Sequence, residues 1–140
     1  MIIYTDRFLR NWQGGRQLWF LALIRPRHRG NQAITEHERE HIKQWWLTTV
    51  FGFVVLGFAA HVAANHLNVD LRQWTGFVFL PPSLHGILYL VFRPYRRWAE
   101  VRAYRVSVAY RPDQFENYSR ALADHYRLGI DLSTARGLLK

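Results

Sequence analysis

The chain has no cysteine among its 140 residues, which excludes disulfide frameworks, thiolate metal sites, iron–sulfur clusters and cysteine nucleophiles. Any metal must then be held by His, Asp or Glu. Acidic residues are scarce as well, ten against 19 Lys plus Arg, for a formal net charge of +9. Lysine is almost missing: only Lys43 and Lys140 occur, so Arg supplies the rest of the positive charge and favours planar, fork-like contacts to phosphates or carboxylates. Such a surface points to nucleic acid or anionic lipid without choosing between them. What the chain does have is apolar bulk. At 49% hydrophobic and 16% aromatic it is too apolar for a disordered chain, and its length supports one domain, 1–140.

Local patterns divide that domain into four stretches. Over 1–30, Asp6, Arg7 and Arg10 precede an apolar segment, 18–24, that is too short for a signal-peptide h-region and lacks a small-residue cleavage site. The N-terminus is therefore expected to be kept. Residues 17–24, aromatic-rich and bounded by Gly14-Gly15 and Arg25-Pro26, read as a buried strand or part of a hairpin. From Asn31, a candidate N-cap, the pattern turns helical over 31–44, with Glu36, Glu38 and Glu40 early and Lys43 late, as the helix dipole favours.

Two charge-free runs follow, 44–69 and 73–92, separated by Asp70 and Arg72. Each is long enough to cross a hydrocarbon core about 30 Å thick, which takes roughly 20 residues of helix. Trp45 and Trp46 stand at the edge of the first, where an aromatic belt would lie. The second contains Pro81-Pro82, Ser83 and His85, which are expected to interrupt a helix and to need partners at membrane depth. Arginines cluster before the pair (Arg25, Arg27, Arg29) and after it (Arg93, Arg96, Arg97), whereas the connection offers only Arg72. That asymmetry predicts a hydrophobic hairpin over 45–92 with both termini cytoplasmic. The competing expectation is a pair of core helices in a soluble, cytoplasmic protein, which the mean hydropathy of −0.19 permits. Over 93–140 the chain reads as C-terminal helices: one over 95–110, a break at Arg111-Pro112-Asp113, another up to Gly129 as a stop, and a short one from Ser133, with Asp113 and Ser133 as N-caps.

The chemistry concentrates in His37-Glu38-Arg39-Glu40-His41, an HExxH. On a helix, the i, i+4 spacing sets both imidazoles on one face, where they can bind the same Zn²⁺, with Glu38 placed to polarise a water. A catalytic zinc needs a third protein ligand. Glu36 and Glu40 share the helix but point away from the His37/His41 face. Of the few remaining acids, Glu100 lies in a predicted helix that an antiparallel hairpin would return beside His37, and it is the expected third ligand. Two histidines on an exposed charged helix can also occur without a metal. His85 is a candidate for the site's surroundings, although such a residue more often bonds a backbone carbonyl. Gln44, three residues after His41, faces the same side, for packing, capping or substrate contact. His61 and His66, five apart, suit no shared ligand face, and His28 and His125 carry no case.

These residues resemble a family. The segment 35–44 (TEHEREHIKQ), a long apolar insertion, and then 97–104 (RWAEVRAY) are similar to the gluzincin metallopeptidases. The nearest likeness is to their minimal group, in which HExxH is followed by hydrophobic helices and a later E-x-x-A motif, as in membrane-embedded heat-shock and prenyl-protein proteases. Small phage and bacterial proteins with an HExxHxxQ helix and a downstream E-x-x-A-Y look alike too. The resemblance spans about two thirds of the chain, roughly 18–110. It implies a zincin-like, mainly α fold; His37, His41 and Glu100 as zinc ligands; Glu38 as the base that activates water toward a peptide carbonyl; and the strand at 18–24 as the edge on which an extended peptide substrate pairs. Tyr104 stands where the membrane proteases carry an acid, so it would orient a ligand only through its hydroxyl. No oxyanion donor is marked, and Tyr104, Arg105 and His85 are the candidates.

The expectation is thus a zinc peptidase on the cytoplasmic side of a membrane. The alternative is a non-catalytic structural, assembly or virion protein whose HExxH helix is scaffold, with a metal stapling two helices. A third reading, an Arg-rich accessory protein for nucleic acid or acidic lipid, is weaker, because the Arg clusters bracket apolar runs and no nucleic-acid motif accompanies them.

Overall fold

The computed structural model describes residues 1–66 and 70–140. Residues 67–69 and the side chains of 71–74 lie outside the described residues, and with them Arg72 and Trp74 of the sequence reading. The fold is mainly helical with one small sheet. Its strands are β1 (Ile2–Tyr4), β2 (Gly15–Leu18) and β3 (Leu21–Ile24), ordered β1-β3-β2. β3 pairs parallel to β1 (Ile2↔Ala22) and antiparallel to β2 (Gly15↔Ile24). The apolar segment at 17–24 is therefore two strands of a tight hairpin and not one. Its tip is Trp19-Phe20, where Trp19 takes a left-handed φ of 56° to reverse the chain. β3 is the central strand, so β1 and β2 are the two edges, and β2 is the edge strand that packs beside α1.

Helix α1 (Gln32–His66, 35 residues) runs without a break from the HExxH segment into the first apolar run. Asn31 caps it, its Oδ1 accepting from Ile34 N at 3.3 Å. After a 3₁₀ segment (Leu71–Phe79), α2 (Leu80–Val91) turns back along α1. Pro81-Pro82 start this helix, which corrects the expectation that they interrupt one: in the first turn a missing N–H costs nothing. The pairing is antiparallel. Gly52 lies against Pro81, the Trp45 indole donates to Pro82 O at 2.8 Å, and the Tyr89 ring meets that of His41. A Cβ at Gly52 would come within 3.0 Å of Pro81, so glycine permits this approach.

α2 cannot continue into α3 (Arg93–Tyr110), because Phe92 is extended (φ −113°, ψ 95°) and Pro94 brings no N–H to the turn before it. Arg96 takes up the freed carbonyls, donating to Tyr89 O (2.7 Å) and Leu90 O (2.6 Å). The axis turns by 99° at this point. α4 (Phe115–His125) and α5 (Leu132–Leu139) then pack on α3. Between these three lies a core of Val101, Tyr104, Leu122, Leu128, Ala135 and Leu139.

Local signals in the tail were misplaced by a few residues. α4 ends at His125, four residues short of Gly129, and Gly129 makes a left-handed turn later (φ 68°). Asp131, not Ser133, caps α5 by accepting from Thr134 N at 2.7 Å, and Ser133 instead donates to Asp131. Asp113 caps no helix, because Arg111 holds its carboxylate at 2.7 Å.

Leu122 is fully buried in the α3–α5 core. Leu122→Ala is expected to cost about 3 kcal/mol of unfolding free energy, and Asp131→Ala about 1 kcal/mol through loss of the cap. Denaturant titration of each variant checks both values.

Candidate metal centre

The first half of α1 and the middle of α3 face each other with polar side chains between them. His37, Glu38 and His41 from α1 and Glu100 from α3 are all less than a tenth exposed, Glu100 only 1%. Their ligand atoms converge: Glu100 Oε1 is 3.6 Å from His41 Nε2 and Glu100 Oε2 is 4.0 Å from His37 Nε2. One donor atom from each of His37, His41 and Glu100 falls within 4.8 Å of the others. The separation of 59 residues between His41 and Glu100 is closed by the hairpin, which returns the chain to the level of the HExxH turn.

Hydrogen bonds fix which nitrogen of each imidazole faces inward. Gln44 Nε2 donates to Ala99 O (3.0 Å), which turns its Oε1 toward His41 Nδ1 at 2.9 Å. That nitrogen must therefore carry the proton, leaving Nε2 with a free lone pair. Ser107 Oγ does the same for His37 Nδ1 at 3.2 Å, its own hydroxyl facing the carbonyls of Ala33 and Ala103. On the other side the Tyr89 hydroxyl donates to Glu100 Oε1. Every ligand is thus braced from behind.

The electrostatics are those of a site short of positive charge. Burial, reinforced by the nearby Glu100 charge, pushes the Glu38 carboxyl well above the usual carboxylate range, and burial likewise raises Glu100. Burial and the neighbouring His41 push His37 well below its ordinary value, so its imidazole stays neutral. Glu38 Oε2 and Glu100 Oε2 are buried without any hydrogen-bond partner. Orphaned buried carboxylate oxygens carry a desolvation penalty of several kcal/mol. A divalent cation held by His37, His41 and Glu100 would offset it, and two His with one carboxylate is a donor set suited to zinc. The residues present fit such an ion.

Other predicted residues fall differently. Tyr104 does not orient a ligand through its hydroxyl: its ring packs edge-on against His37 (4.6 Å between centroids), while the hydroxyl pairs with Tyr126 at 3.0 Å. Arg105 is no oxyanion donor, because it donates to Leu138 O and ties α5 to α3. His85 is buried one ring beyond the cluster, 6.2 Å from the Tyr89 ring, and bonds the Tyr95 hydroxyl at 2.7 Å in place of a backbone carbonyl. Glu40 turns to Arg102 (3.0 Å) and Lys43 (3.5 Å), away from the histidines. Exposed Asp70 lies past the far end of α1. Two bracing residues, Tyr89 and Ser107, carried no signal in the sequence; Gln44 did, by standing one turn after His41 on the same face.

One backbone contact completes the site. β2 crosses directly over Glu38: a Cβ built at Gly15 would lie 2.7 Å from Glu38 Oε1, so a larger residue there would push the Glu38 side chain aside. This edge strand and the HExxH carboxylate are neighbours.

No protein-family model matches the chain, and no curated protein and no solved structure matches it. The assignment of chemistry rests on this geometry.

Removing the brace while keeping the ring tests whether it serves the ligand. If the cluster holds a metal, Tyr89→Phe is expected to weaken its binding by about 10-fold to 100-fold, and Gln44→Ala by a similar factor. Competition against a chromogenic chelator measures both.

Proposed function

We propose that this protein is a zinc-dependent metallopeptidase of the gluzincin kind, holding one zinc through His37, His41 and Glu100 and hydrolysing a peptide bond with Glu38 as general base. The observation that carries the reading is the buried convergence of the three donors beside two carboxylate oxygens that have no other partner. Zinc bound there supplies Lewis acidity, lowering the pKa of a water toward about 7 and polarising the substrate carbonyl.

The chain's own groups do the rest. His41 and His37, locked in one tautomer by Gln44 and Ser107, keep Nε2 aimed inward. Glu38 takes the proton from the attacking water and delivers it to the amide nitrogen as the C–N bond breaks. An extended substrate laid along the open edge of β2 would bring its main chain past Glu38, with Gly15 as the point of closest approach. On this reading the substrate edge is 15–18 in place of the expected 18–24, because β3 is the central strand.

A second reading has an observation in its favour. All four polar residues are less than a tenth exposed, and a closed coordination sphere is the mark of a structural zinc. In that case the ion would staple α1 to α3 without turnover, as in an assembly or virion component.

Elemental analysis of untagged protein is expected to give about one zinc per chain, lost in His41→Ala and in Glu100→Ala. Retention of zinc by Glu100→Ala would exclude that residue as a ligand. Glu38→Gln should keep the metal and abolish peptide hydrolysis. A wild type that holds zinc yet cleaves no peptide in a broad library would instead support the staple.

A further inference from the structure

The polar residues of the site are inside, and the apolar residues of the hairpin are outside. The most apolar 18-residue window of α1 has a mean hydropathy of 1.9, yet only 6% of it is buried. A core helix of a water-soluble protein would show the reverse. Phe58 is 70% exposed and Val54 64%. From Trp45 to His66, α1 extends roughly 33 Å at the helical rise, which matches a hydrocarbon core of about 30 Å. The returning arm, nine residues of 3₁₀ helix and twelve of α2, covers about the same depth.

Contacts across the hairpin then set the level of the upper boundary. Tyr89 is level with His41, since their rings meet and Tyr89 reaches Glu100. Beyond Tyr89, Leu90 and Phe92 are still apolar and exposed, 73% and 52%. The apolar surface therefore rises to the metal site and does not stop a turn short of it at Trp45. At Phe92 the chain bends by 99°, so with the hairpin upright α3 lies flat. Its first residues, Arg93 and Arg97, are exposed and have no acidic partner among the described residues. The β-hairpin tip comes within one turn of this level: Phe20 packs on Trp45 and Trp19 projects, 65% exposed.

We infer that the apolar hairpin is seated in a lipid bilayer whose surface runs through the level of the metal site, with α3 lying on that surface, Arg93 and Arg97 in the anionic headgroups and the Trp19-Phe20 tip dipped into the interface. The charges support lipid over a second protein: arginines flank the apolar belt on the side of the termini, and exposed tryptophan marks its rim. The consequence is that His37, His41 and Glu100 face a peptide that lies at the membrane surface. This placement rests on hydropathy, burial and the bend, and stands whether or not the site turns over substrate.

The absence of native cysteine makes site-directed spin labelling clean. Single labels at Phe58→Cys, Val54→Cys, Leu90→Cys, Trp19→Cys and Asp124→Cys, in full-length protein reconstituted into phosphatidylcholine vesicles with about 30% phosphatidylglycerol, report depth through collision with oxygen against a water-soluble nickel chelate. The oxygen-to-nickel ratio is expected to be roughly tenfold higher at 58 and 54 than at 124, with 90 and 19 between. Free access of nickel to 58 and 54 would overturn the inference. So would protection of both positions from both reagents, which would mean that another protein surface covers the hairpin. Labels at 90 and 19 as wet as that at 124 would overturn the level assigned to the boundary.

Discussion

A carboxylate that is almost entirely out of water, placed opposite two imidazoles, organises this molecule. Glu100 sits on α3, yet its surroundings come from everywhere else: His37 and His41 from α1, Tyr89 from α2, and Gln44 reaching across to the backbone at Ala99. Burying such a group costs several kcal/mol unless hydrogen bonds or a cation compensate it. Here the hydrogen bonds compensate only one oxygen of Glu100, and Glu38 beside it has the same deficit. The three helices are thus held in register around a demand for positive charge. A metal would satisfy that demand and link the stability of the helix contact to the occupancy of the site.

The bracing network explains why the helices cannot slide past one another without disturbing the ligands. Gln44 fixes the His41 ring only while Ala99 is in place, and Ser107 meets His37 beside the carbonyl of Ala33. Arg96, by capping the end of α2, fixes both the bend into α3 and the position from which Tyr89 reaches Glu100. Geometry at the site and the path of the hairpin are therefore one problem. Movement of α2 relative to α3 would be felt at Glu100, because the Tyr89 hydroxyl joins α2 to that carboxylate.

The distribution of polarity follows from the same arrangement. Small residues, Ala33, Ala99 and Ala103, let α1 and α3 approach closely enough for polar side chains to meet. Large apolar side chains lie on the outside of the hairpin, whereas the apolar core cluster sits at the junction of α3, α4 and α5, with Leu23 and Ile24 of β3 buried apart from it. β2 closes the remaining side over Glu38, where Gly15 leaves room for the carboxylate.

By itself the sequence determined the mainly helical class, the Asn31 cap, the helix that carries HExxH, the continuous apolar run after it, and the candidate donors His37, Glu38, His41 and Glu100. These are periodic or short-range properties, fixed by spacing along one helix or by the scarcity of alternatives. The tertiary structure decided the rest. Splitting of 17–24 into a hairpin depended on a left-handed turn at Trp19, a residue type that gives no such signal. Helix initiation at Pro81 depended on where the preceding turn ended. Assignment of the brace to Ser107 and not Tyr104, both of which meet His37, depended on the Tyr104 hydroxyl pointing past the ring to Tyr126. Tyr89 was invisible because a tyrosine in an apolar run reads as packing until its hydroxyl is seen to meet a carboxylate on another helix. Local spacing can specify which residues share a face, but only the closure of the hairpin specifies which faces meet.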